Sequence, residues 1–452
     1  MDEFDFDFDP VQDVPVAAGT TTNSNDQYTQ DRLNLRRYYE SKFPWDLLFD
    51  WLSVNCNEGA DQDAHAAYFS KREFSVSLSR PLKDLVLRHC SYTNPQDLAA
   101  MVMGKEQSGR SSSTLQVFDK LDIGAVYNHE PKKKGLYNDY HPLERELVFD
   151  IDINDYDDVR VCCAGQTLCT KCWGLLSLAA HYLTEMLDQC FGFTKLLYVF
   201  SGGRGLHIWV SDKEAMILSQ EMRRSIVSLL TISPGDGHPA IQKCYKELFL
   251  PYFEKHMIDE QLILCDEGQV KKFLEQFPTD LFTKKRKRAD IRADVQRVLD
   301  ANDNCSDGDK WNAIKQSLAT RDDIDYEDII FDVVMHYTQP RLDAAVTVGF
   351  NHLLKSPFCI HPRTKRLCVP IEYSDIDNFD ADLVPTLPMI LNEDDQSTDA
   401  TTDDNTTTTS NVKTKRSNKK QDHSFARYKR QFSLYVNSLK TESNAAMDTD
   451  QF

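Results

Sequence analysis

The segment ELVFDIDI, Glu146–Ile153, places two acidic residues inside an otherwise apolar run. Its aliphatic and aromatic residues favour a buried β-strand. Since side chains two residues apart lie on the same face of a strand, Asp150 and Asp152 point the same way. Neighbouring carboxylates repel each other, and burying them is costly unless a cation or a basic group neutralises them. The segment therefore predicts a metal ion, a basic partner or an exposed strand end.

Magnesium and manganese are the metals that suit such a pair, because both bind hard oxygen ligands from a few carboxylates together with substrate phosphates. Two of these ions can stabilise the attacking and the leaving oxygen of a phosphoryl displacement. The D-x-D spacing is nevertheless a weak signal by itself. A strand whose acids face solvent or an arginine explains it as well.

The chain has 452 residues, enough for two or three domains. No apolar run reaches the length of a membrane span, and the acidic N-terminus lacks the pattern of a secretory signal. We therefore expect no membrane association, and we expect the 12 cysteines to be reduced. Of the net charge of −19, residues 1–31 and 393–412 hold −14, leaving −5 for the remainder. This distribution permits a local basic groove but excludes a uniformly basic surface.

The order of the patterns predicts an α+β fold. A helical start at 33–52 is followed by five strand-like stretches, which are REFSVSL (72–78), DIGAVYNHEP (122–131), KLLYVFSGGRGLHIWV (195–210), RLDAAVTVG (341–349) and RLCVPIEY (366–373). Apolar residues at helical spacing fill most of 214–330. We interpret this region as a helical subdomain inserted into one mixed domain, which comprises residues 32–213 and 331–390.

Three further segments complete the domain prediction. Residues 1–31 are predicted to be a disordered acidic tail, and 391–423 a disordered linker rich in acids and threonine. Residues 424–452 form an amphipathic helix and a tail. The helix is expected to dock either on the body of the protein or on a partner.

A glycine-rich turn, SGGRG, lies between two of the predicted strands. Gly202, Gly203 and Gly205 would let backbone N–H groups approach a ligand closely. The turn region also offers three side chains suited to phosphate oxygens, Ser201, Arg204 and His207. A tight hairpin with incidental polar residues is the alternative. The turn is not a Walker loop, because the Lys-Ser/Thr ending is missing.

The segment PRLDAAVTVGFNHLLKSPFCIHPRT, residues 340–364, contains a third set of candidates. Asp343 could be a further carboxylate ligand for the metal pair. Lys355 and His361 flank a Ser-Pro turn and could hold a triphosphate. For each residue alone, an ordinary role as a loop acid or a helix-terminal lysine is the better explanation.

Four cysteines lie within 11 residues of CCAGQTLCTKC, namely Cys162, Cys163, Cys169 and Cys172. Four thiolates suit tetrahedral structural zinc and leave no open position for catalysis. A cluster of reduced cysteines and a redox-active C-x-x-C pair are the alternatives. Elsewhere, two basic runs, 284–288 and 413–420, could be nuclear import signals, nucleic-acid contacts or merely solvated segments.

In this order, the motifs ELVFDIDINDYDDVR, CC with CTKCW, SGGRGLHIWV and NHLLKSPF with HP resemble the catalytic small subunit of eukaryotic DNA primase, within the archaeo-eukaryotic primase superfamily. The resemblance covers roughly residues 32–390. It implies the primase fold, with mixed β-sheets flanked by helices, a zinc knuckle at 161–173 and a helical subdomain. It also implies a nucleotidyltransferase that makes short RNA primers on single-stranded DNA for replication by two-metal transfer from ribonucleoside triphosphates.

The resemblance also implies roles for individual residues. Metal ligands for Mg²⁺ or Mn²⁺ would be Asp150, Asp152 and Asp343, while the four cysteines would hold structural Zn²⁺. Glu73 would belong to the catalytic set. The nucleotide would be contacted by Arg88, Asp122, Ser201, Gly202, Gly203, Arg204, Gly205, His207, Arg341, Asn351, His352, Leu353, Leu354, Lys355 and His361. One departure stands out: relatives often have a second arginine where this chain has Gly203, so one cationic contact to the nucleotide is missing here.

The partners implied by the resemblance are the primase large subunit, in a heterodimer, and the DNA polymerase alpha complex. The implied location is the nucleus. Three rival functions are a non-catalytic nucleic-acid-binding subunit, a two-metal nuclease or phosphatase, and a repair-type polymerase that extends primers. The trio of carboxylates opposes the first rival and the triphosphate-binding residues oppose the second. The sequence hardly distinguishes a primase from the third rival, the repair-type polymerase.

Overall fold

The protein is described here by a computed structural model that covers residues 21–56, 62–78, 85–104, 117–285, 287–395 and 424–447. The helices before the glycine-rich turn are α1 (Thr21–Ser41), α2 (Trp45–Leu52), α3 (Gln62–Phe69), α4 (Pro95–Val102) and α5 (Thr170–Phe191). Those after it are α6 (Lys213–Met216), α7 (Gln220–Leu230), α8 (Pro239–Cys244), α9 (Leu250–Tyr252), α10 (Glu267–Leu274), α11 (Ile291–Ala301), α12 (Asp307–Ala319), α13 (Tyr326–Thr338), α14 (Ala344–Val348), α15 (Leu387–Asp395) and α16 (Phe425–Met447).

The strands are β1 (Arg72–Leu78), β2 (Leu85–Cys90), β3 (Lys120–Tyr127), β4 (Pro142–Glu144), β5 (Leu147–Asp152), β6 (Leu196–Phe200), β7 (Gly205–Val210), β8 (Leu281–Phe282), β9 (Arg288–Ala289), β10 (Leu354–Lys355) and β11 (Val369–Ile371). Five of them form a first sheet with the order β10-β3-β1-β2, in which β4 also pairs with β3. Four form a second sheet with the order β11-β6-β7-β5. All of these pairings are antiparallel, and together with the helices they confirm the predicted α+β class.

Strand β5 is the acidic strand of the opening segment, and it forms one edge of the second sheet. It pairs with β7 from Leu147 opposite Val210 to Asp152 opposite Gly205. The apolar side chains of β5 are completely buried. The predicted buried strand is therefore confirmed, as is the strand–turn–strand unit that β6 and β7 form around the glycines.

One strand prediction is wrong. The stretch RLDAAVTVG contains the short helix α14 rather than a strand. The carboxylate of Asp343 accepts hydrogen bonds from the backbone N–H groups of Ala345 and Val346 and so caps the helix N-terminus. Capping satisfies N–H groups that the first helical turn leaves without partners, and this outweighs the strand preference of the two valines.

The region 214–330 is mainly helical, as predicted, although α13 continues to Thr338. Between α8 and α10 the chain also has two π-helical segments, Tyr245–Phe249 and Phe253–Glu260. The basic run at 284–288 lies in the β8–β9 hairpin, where Lys284 pairs with Asp325 at 2.5 Å and Lys285 pairs with Asp322. These ion pairs neutralise part of the charge that a nucleic-acid contact would need. The run at 413–420 lies outside the described residues.

Helix α1 begins at Thr21 and so crosses the predicted tail boundary at residue 31. Arg32 in this helix is buried, lies 2.6 Å from Asp119 and donates to the carbonyl oxygen of Val117 at 3.0 Å. These contacts extend the folded body towards the N-terminus. The predicted linker begins inside α15, which ends at Asp395. Residues 1–20 and 396–423 lie outside the described part of the chain.

Three buried arginines hold the residues that lead into β5. Arg72 pairs with Glu146 through both carboxylate oxygens, at 2.8 and 3.0 Å. Arg145 donates to the carbonyl oxygens of Val346 and Gly349 at the end of α14. Arg223 donates to the carbonyl oxygens of Arg145 and Glu146. Burial lowers the pKa of Arg145 to about 9 and that of Arg223 to about 10, so both stay charged at neutral pH and hold β5 and α14 together.

Helix α16 packs on the body of the protein, which decides between the two predicted docking surfaces. Phe425, Tyr428, Phe432, Val436 and Leu439 are buried on one face of the helix. The ring of Phe432 meets the rings of Trp51 and Phe358 at centroid distances of 5.6 and 5.4 Å. Within the described residues, no helix is both long enough and apolar enough to cross a membrane.

Phe432→Ala should destabilise the full chain by about 3–5 kcal/mol, since the substitution removes a buried aromatic ring and leaves a cavity. Leu434→Ala, on the exposed face of the same helix, is the control and should cost about 0.5 kcal/mol or less. Urea denaturation measures both. Equal losses for the two variants would mean that α16 does not dock as described.

Candidate active site

A cleft of about 620 Å³ lies where the two sheets meet. The second sheet and its glycine-rich turn supply one group of lining residues, and β3, β10 and the loops beside α14 supply the other. The lining residues are Lys120, Asp150, Asp152, Ser201, Arg204, Gly205, His207, Val346, Leu353, Leu354, Lys355, His361, Pro362 and Arg363. This volume is in the range of pockets that bind small ligands and cofactors.

Two acids, Asp150 and Asp152, line this cleft, and the third predicted acid, Asp343, lies beside them. Asp150 and Asp152 lie on one face of β5, as predicted from their spacing. The backbone N–H of Asp343 donates to the carbonyl oxygen of Asp150 at 3.1 Å, which brings α14 against the strand. The structure therefore unites the pair of acids with the third acid despite the long separation in sequence.

The crowding of these acids is visible in the electrostatics of Asp150. Burial, together with the charges of Asp152 and Asp343, raises the pKa of Asp150 to about 7. Lys355 and Lys120 oppose this shift without cancelling it. A site with an excess of carboxylate charge is one that a divalent cation would stabilise, and oxygen ligands are those that Mg²⁺ and Mn²⁺ prefer.

Arg204 pairs with Asp152 in this structure. Its Nε lies 2.8 Å from each carboxylate oxygen, and Asp152 also accepts from the backbone N–H of Asn154 at 3.0 Å. The carboxylate of Asp343 is meanwhile the cap of α14. Among the described residues, the three aspartates accordingly do not place one oxygen each within 4.8 Å of the others. Simultaneous binding of a cation by all three requires rotation of these side chains.

The glycine-rich turn is closed by Ser201. Its hydroxyl oxygen accepts from the backbone N–H groups of Gly203 and Gly205, at 3.4 and 3.0 Å, and its own hydrogen remains available to donate to a ligand. Gly202 has a φ of +76°, which other residues adopt at a cost. At Gly203, a Cβ atom would lie 2.8 Å from Nε2 of His361. The chain therefore needs glycine at 203 for the His361 ring to lie where it does.

Lys355 and two histidines form the basic wall of the cleft. Lys355 donates from Nζ to the carbonyl oxygen of Ser201 at 2.6 Å. Nε2 of His207 is 3.5 Å from Asp150, while Nδ1 of His207 is buried and has no hydrogen-bond partner among the described residues. Burial and the nearby lysines lower the pKa of His207 well below its usual range and that of His361 to about 3. Both histidines are neutral at physiological pH, so each can donate one hydrogen bond.

Several predicted residues do not line the cleft. Glu73 is buried in β1, where it contacts Nδ1 of His89 at 2.9 Å and the hydroxyl of Tyr127 at 3.1 Å. Arg88 lies 3.5 Å from Glu73 and donates to the carbonyl oxygen of Asn351 at 2.8 Å. This second cluster is next to the loop that leads to β10. The catalytic role of Glu73 and the role of Arg88 in nucleotide binding stay predictions.

The remaining predicted residues lie near the cleft. Asp122 is opposite Lys355 in the β3–β10 pairing and pairs with Lys120 at 3.0 Å. His352 follows α14 and donates its backbone N–H to Gly349. Arg341 does not line the cleft; its guanidinium pairs with Asp158, and its backbone N–H donates to the hydroxyl of Tyr156 at 3.0 Å. Arg341 therefore supports the segment after β5 in this structure.

Four lining residues were not predicted, namely Lys120, Val346, Pro362 and Arg363. Two of them had a signal in the sequence. Lys120 is two residues before Asp122 and therefore shares its face of β3. Arg363 follows His361 and Pro362 directly, in the same turn. Val346 and Pro362 are apolar, and nothing in their local sequence marks them as cleft residues.

The four predicted cysteine ligands come together beyond the end of β5. Their sulfur atoms all lie within 4.8 Å of one another. The distances from Cys163 are 3.4 Å to Cys172, 3.7 Å to Cys169 and 3.8 Å to Cys162. Tetrahedral zinc with Zn–S bonds of about 2.3 Å would separate its sulfurs by about 3.8 Å. The cluster could therefore hold a metal such as zinc.

Hydrogen bonds from Arg160 hold the loop around this cluster. The guanidinium donates to the carbonyl oxygens of Gly165 and Thr167, at 2.7 and 2.8 Å, and lies 3.5 Å from the sulfur of Cys172. A hydrogen bond from Cys162 lowers the pKa of Cys172 to about 5, which favours a thiolate at neutral pH. Thiolates are the form that ligates zinc, and outer contacts of this kind orient metal ligands.

Comparison with known proteins agrees with this arrangement. The family model described as DNA primase small subunit matches residues 149–373, which contain Asp150 and Asp152, the four cysteines, the glycine-rich turn and Asp343. A DNA primase small subunit of Schizosaccharomyces pombe is 32% identical over 88% of this chain and 84% of its own. The proteins of that description from Drosophila melanogaster and Saccharomyces cerevisiae are 33% and 30% identical, over 82% and 78% of this chain and 82% and 84% of their own.

Asp150→Asn should stabilise the protein at neutral pH in the presence of a chelator. Because the pKa of Asp150 rises from 3.8 to about 7 on folding, the folded protein binds a proton more tightly than the unfolded chain does, and the free energy of unfolding falls as the pH rises through this window. Asparagine has no such titration. Urea denaturation should show the variant about 1–3 kcal/mol more stable than the parent near pH 8.

Near pH 4 the two proteins should be about equally stable, which makes the pH series its own control. A variant that is less stable than the parent near pH 8 would contradict the electrostatic description of the cleft.

Purified protein should contain about one zinc ion per chain, and Cys169→Ser should lose it, because three thiolates bind structural zinc far more weakly than four. Elemental analysis by mass spectrometry measures the content. Cys305→Ser, at an exposed cysteine outside the cluster, is the matched control and should keep the metal. Equal zinc contents in the two variants would rule out the cluster as the site.

Proposed function

The chain belongs to the DNA primase small subunit family, and on this premise we propose that it synthesises short RNA primers on single-stranded DNA from ribonucleoside triphosphates. One observation carries the proposal. The cleft is lined by Asp150 and Asp152, with Asp343 beside them, and by groups suited to phosphate from Ser201, Arg204, Lys355 and His361. A nucleotidyltransferase needs this combination, because it must neutralise the negative charge of the triphosphate and that of the carboxylates beside it.

Asp150, Asp152 and Asp343 are the residues that would hold divalent Mg²⁺ or Mn²⁺. Their oxygen atoms are hard ligands, and the raised pKa of Asp150 reports the excess negative charge that a cation would relieve. When bound, such ions would supply positive charge to the transferring phosphate and to the oxygens that attack and leave. Binding at Asp152 requires Arg204 to release its carboxylate, and the released guanidinium is then free for the nucleotide.

The phosphate-binding groups divide into backbone and side chains. The turn at Ser201–Gly205 can present N–H groups and the Ser201 hydroxyl to phosphate oxygens. Arg204 can bind two phosphate oxygens at once, whereas Lys355 contributes a point charge. His361 is neutral and donates one hydrogen bond. Together these groups would hold the triphosphate with its α-phosphate towards the aspartates.

In the proposed reaction, the 3′-hydroxyl oxygen of one ribonucleotide attacks the α-phosphorus of the next. The new bond joins this oxygen to the α-phosphorus, and the bond from the α-phosphorus to the bridging oxygen breaks, so that pyrophosphate leaves. The proton of the hydroxyl goes to solvent. The chain contributes mainly position and charge stabilisation, since the three carboxylates and the basic wall enclose the reacting phosphate from opposite sides.

The partners and the cellular location of the chain are proposed from its family. The name "small subunit" of the relatives implies a complex with a large subunit, and we propose such a heterodimer here. We also propose association with the DNA polymerase alpha complex and a nuclear location. Zinc at the four cysteines would have a structural role, because all four positions of a tetrahedral site are taken by sulfur.

The test is primer synthesis without a pre-existing primer, on a single-stranded template with magnesium or manganese and labelled ribonucleotides. The parent should make short RNA, and Asp152→Ala should lose at least about a thousandfold in rate, since an electrostatic contribution of several kcal/mol is removed. Asp303→Ala, at an exposed acid of the helical region, is the matched control and should keep the parental rate.

Two results would refute the proposal. Near-parental synthesis by Asp152→Ala would separate the cleft from the chemistry. Extension of a supplied primer without any synthesis on a bare template would favour the repair-type polymerase over a primase.

A further inference from the structure

The cleft has four cationic side chains, and three of them are engaged by other groups of the protein. Lys120 pairs with Asp122 at 3.0 Å, Arg204 pairs with Asp152 at 2.8 Å, and Lys355 donates to the carbonyl oxygen of Ser201 at 2.6 Å. Arg363 is the exception among the lining residues. Its side chain is exposed, and it makes no ion pair or hydrogen bond with any described residue.

The backbone that carries Arg363 is firmly held. It belongs to a turn in which the N–H of Lys365 donates to the carbonyl oxygen of His361 at 2.9 Å. The hydroxyl of Thr364 donates to the carbonyl oxygen of Gly202 at 2.5 Å, which attaches the turn to the glycine-rich loop. Arg363 is therefore an exposed side chain on a fixed turn, which is bonded to the glycine-rich loop.

The position of His361 connects Arg363 with the glycine-rich loop. Since a Cβ atom at Gly203 would lie 2.8 Å from Nε2 of His361, the imidazole covers the face of the loop at that glycine. Arg363 is two residues from His361 in the same turn, and both residues line the cleft. The exposed side chain of Arg363 therefore lies at the cleft that Asp150 and Asp152 also line.

On the basis of the proposed function, we propose that Arg363 binds the terminal phosphate of the incoming ribonucleoside triphosphate. With the α-phosphate towards the aspartates, the triphosphate extends outwards past Arg204 and Lys355, and its last phosphate reaches the rim of the cleft. A guanidinium without a carboxylate partner can bind phosphate there without first breaking an ion pair. Arg363 then distinguishes triphosphates from monophosphates and leaves the chemistry at the α-phosphate to other residues.

The test is direct binding of a non-hydrolysable ribonucleoside triphosphate and of the matching monophosphate by the full chain, with Mn²⁺ and no template, measured by calorimetry. Arg363→Ala should weaken triphosphate binding by about tenfold, as expected for the loss of one charge-assisted contact, and should leave monophosphate binding unchanged. Arg363→Lys should fall between the parent and the alanine variant, because it keeps the charge and loses the two-pronged geometry.

Arg224→Ala, at an exposed arginine of α7 outside the cleft, is the matched control and should bind both nucleotides like the parent. In primer synthesis, Arg363→Ala should raise the KM for ribonucleotides by about the same factor and leave kcat close to that of the parent.

Unchanged triphosphate affinity in Arg363→Ala would overturn the inference, and so would an equal loss for the monophosphate. A loss that arises only when template is added would assign Arg363 to the template strand instead and would also overturn it. Because binding is measured without synthesis, these outcomes are independent of whether primer synthesis itself is observed.

Discussion

One backbone hydrogen bond, from the N–H of Asp343 to the carbonyl oxygen of Asp150, closes the active cleft. It joins two segments that lie about 190 residues apart, so the whole helical region is a loop whose closure costs entropy. This hydrogen bond is stable because other contacts hold the segments on both sides of it. Arg145 holds the end of α14 through two carbonyl oxygens, and Arg223 holds the residues that lead into β5. The third carboxylate can therefore reach the first two only in the folded chain.

The charges of the cleft follow from this closure. Three acids brought to one place leave an excess of negative charge, and the protein relieves it partly with its own cations, above all by the pairing of Arg204 with Asp152. This pairing links the two halves of the proposed site. A metal ion that binds Asp152 releases Arg204 for the triphosphate. A triphosphate that binds Arg204 likewise releases Asp152 for the metal ion. Binding of metal and nucleotide should accordingly be mutually favourable, as expected when two ligands stabilise the same arrangement of side chains.

Much of the site could be predicted from short-range patterns. The alternation in ELVFDIDI gives the strand and the shared face of its two acids, the glycines between two apolar runs give the hairpin, and the cysteine spacing gives the sulfur cluster. The long-range features could not be predicted in this way. Helix α14 is a local feature that composition conceals, because RLDAAVTVG is strand-like although Asp343 caps a helix there. The pairing of Arg204 with Asp152 and the place of Arg363 depend on how distant turns pack, which local periodicity does not encode.

We propose that Asp150, Asp152 and Asp343 bind divalent ions beside the triphosphate. A crystal structure with Mn²⁺ and a non-hydrolysable ribonucleoside triphosphate tests this proposal, because anomalous scattering locates the manganese. Manganese peaks should be coordinated by these three carboxylates, and Arg204 should be turned from Asp152 to the phosphates. Manganese bound elsewhere, or a triphosphate held away from the glycine-rich turn while Arg204 still pairs with Asp152, would refute the proposed metal site.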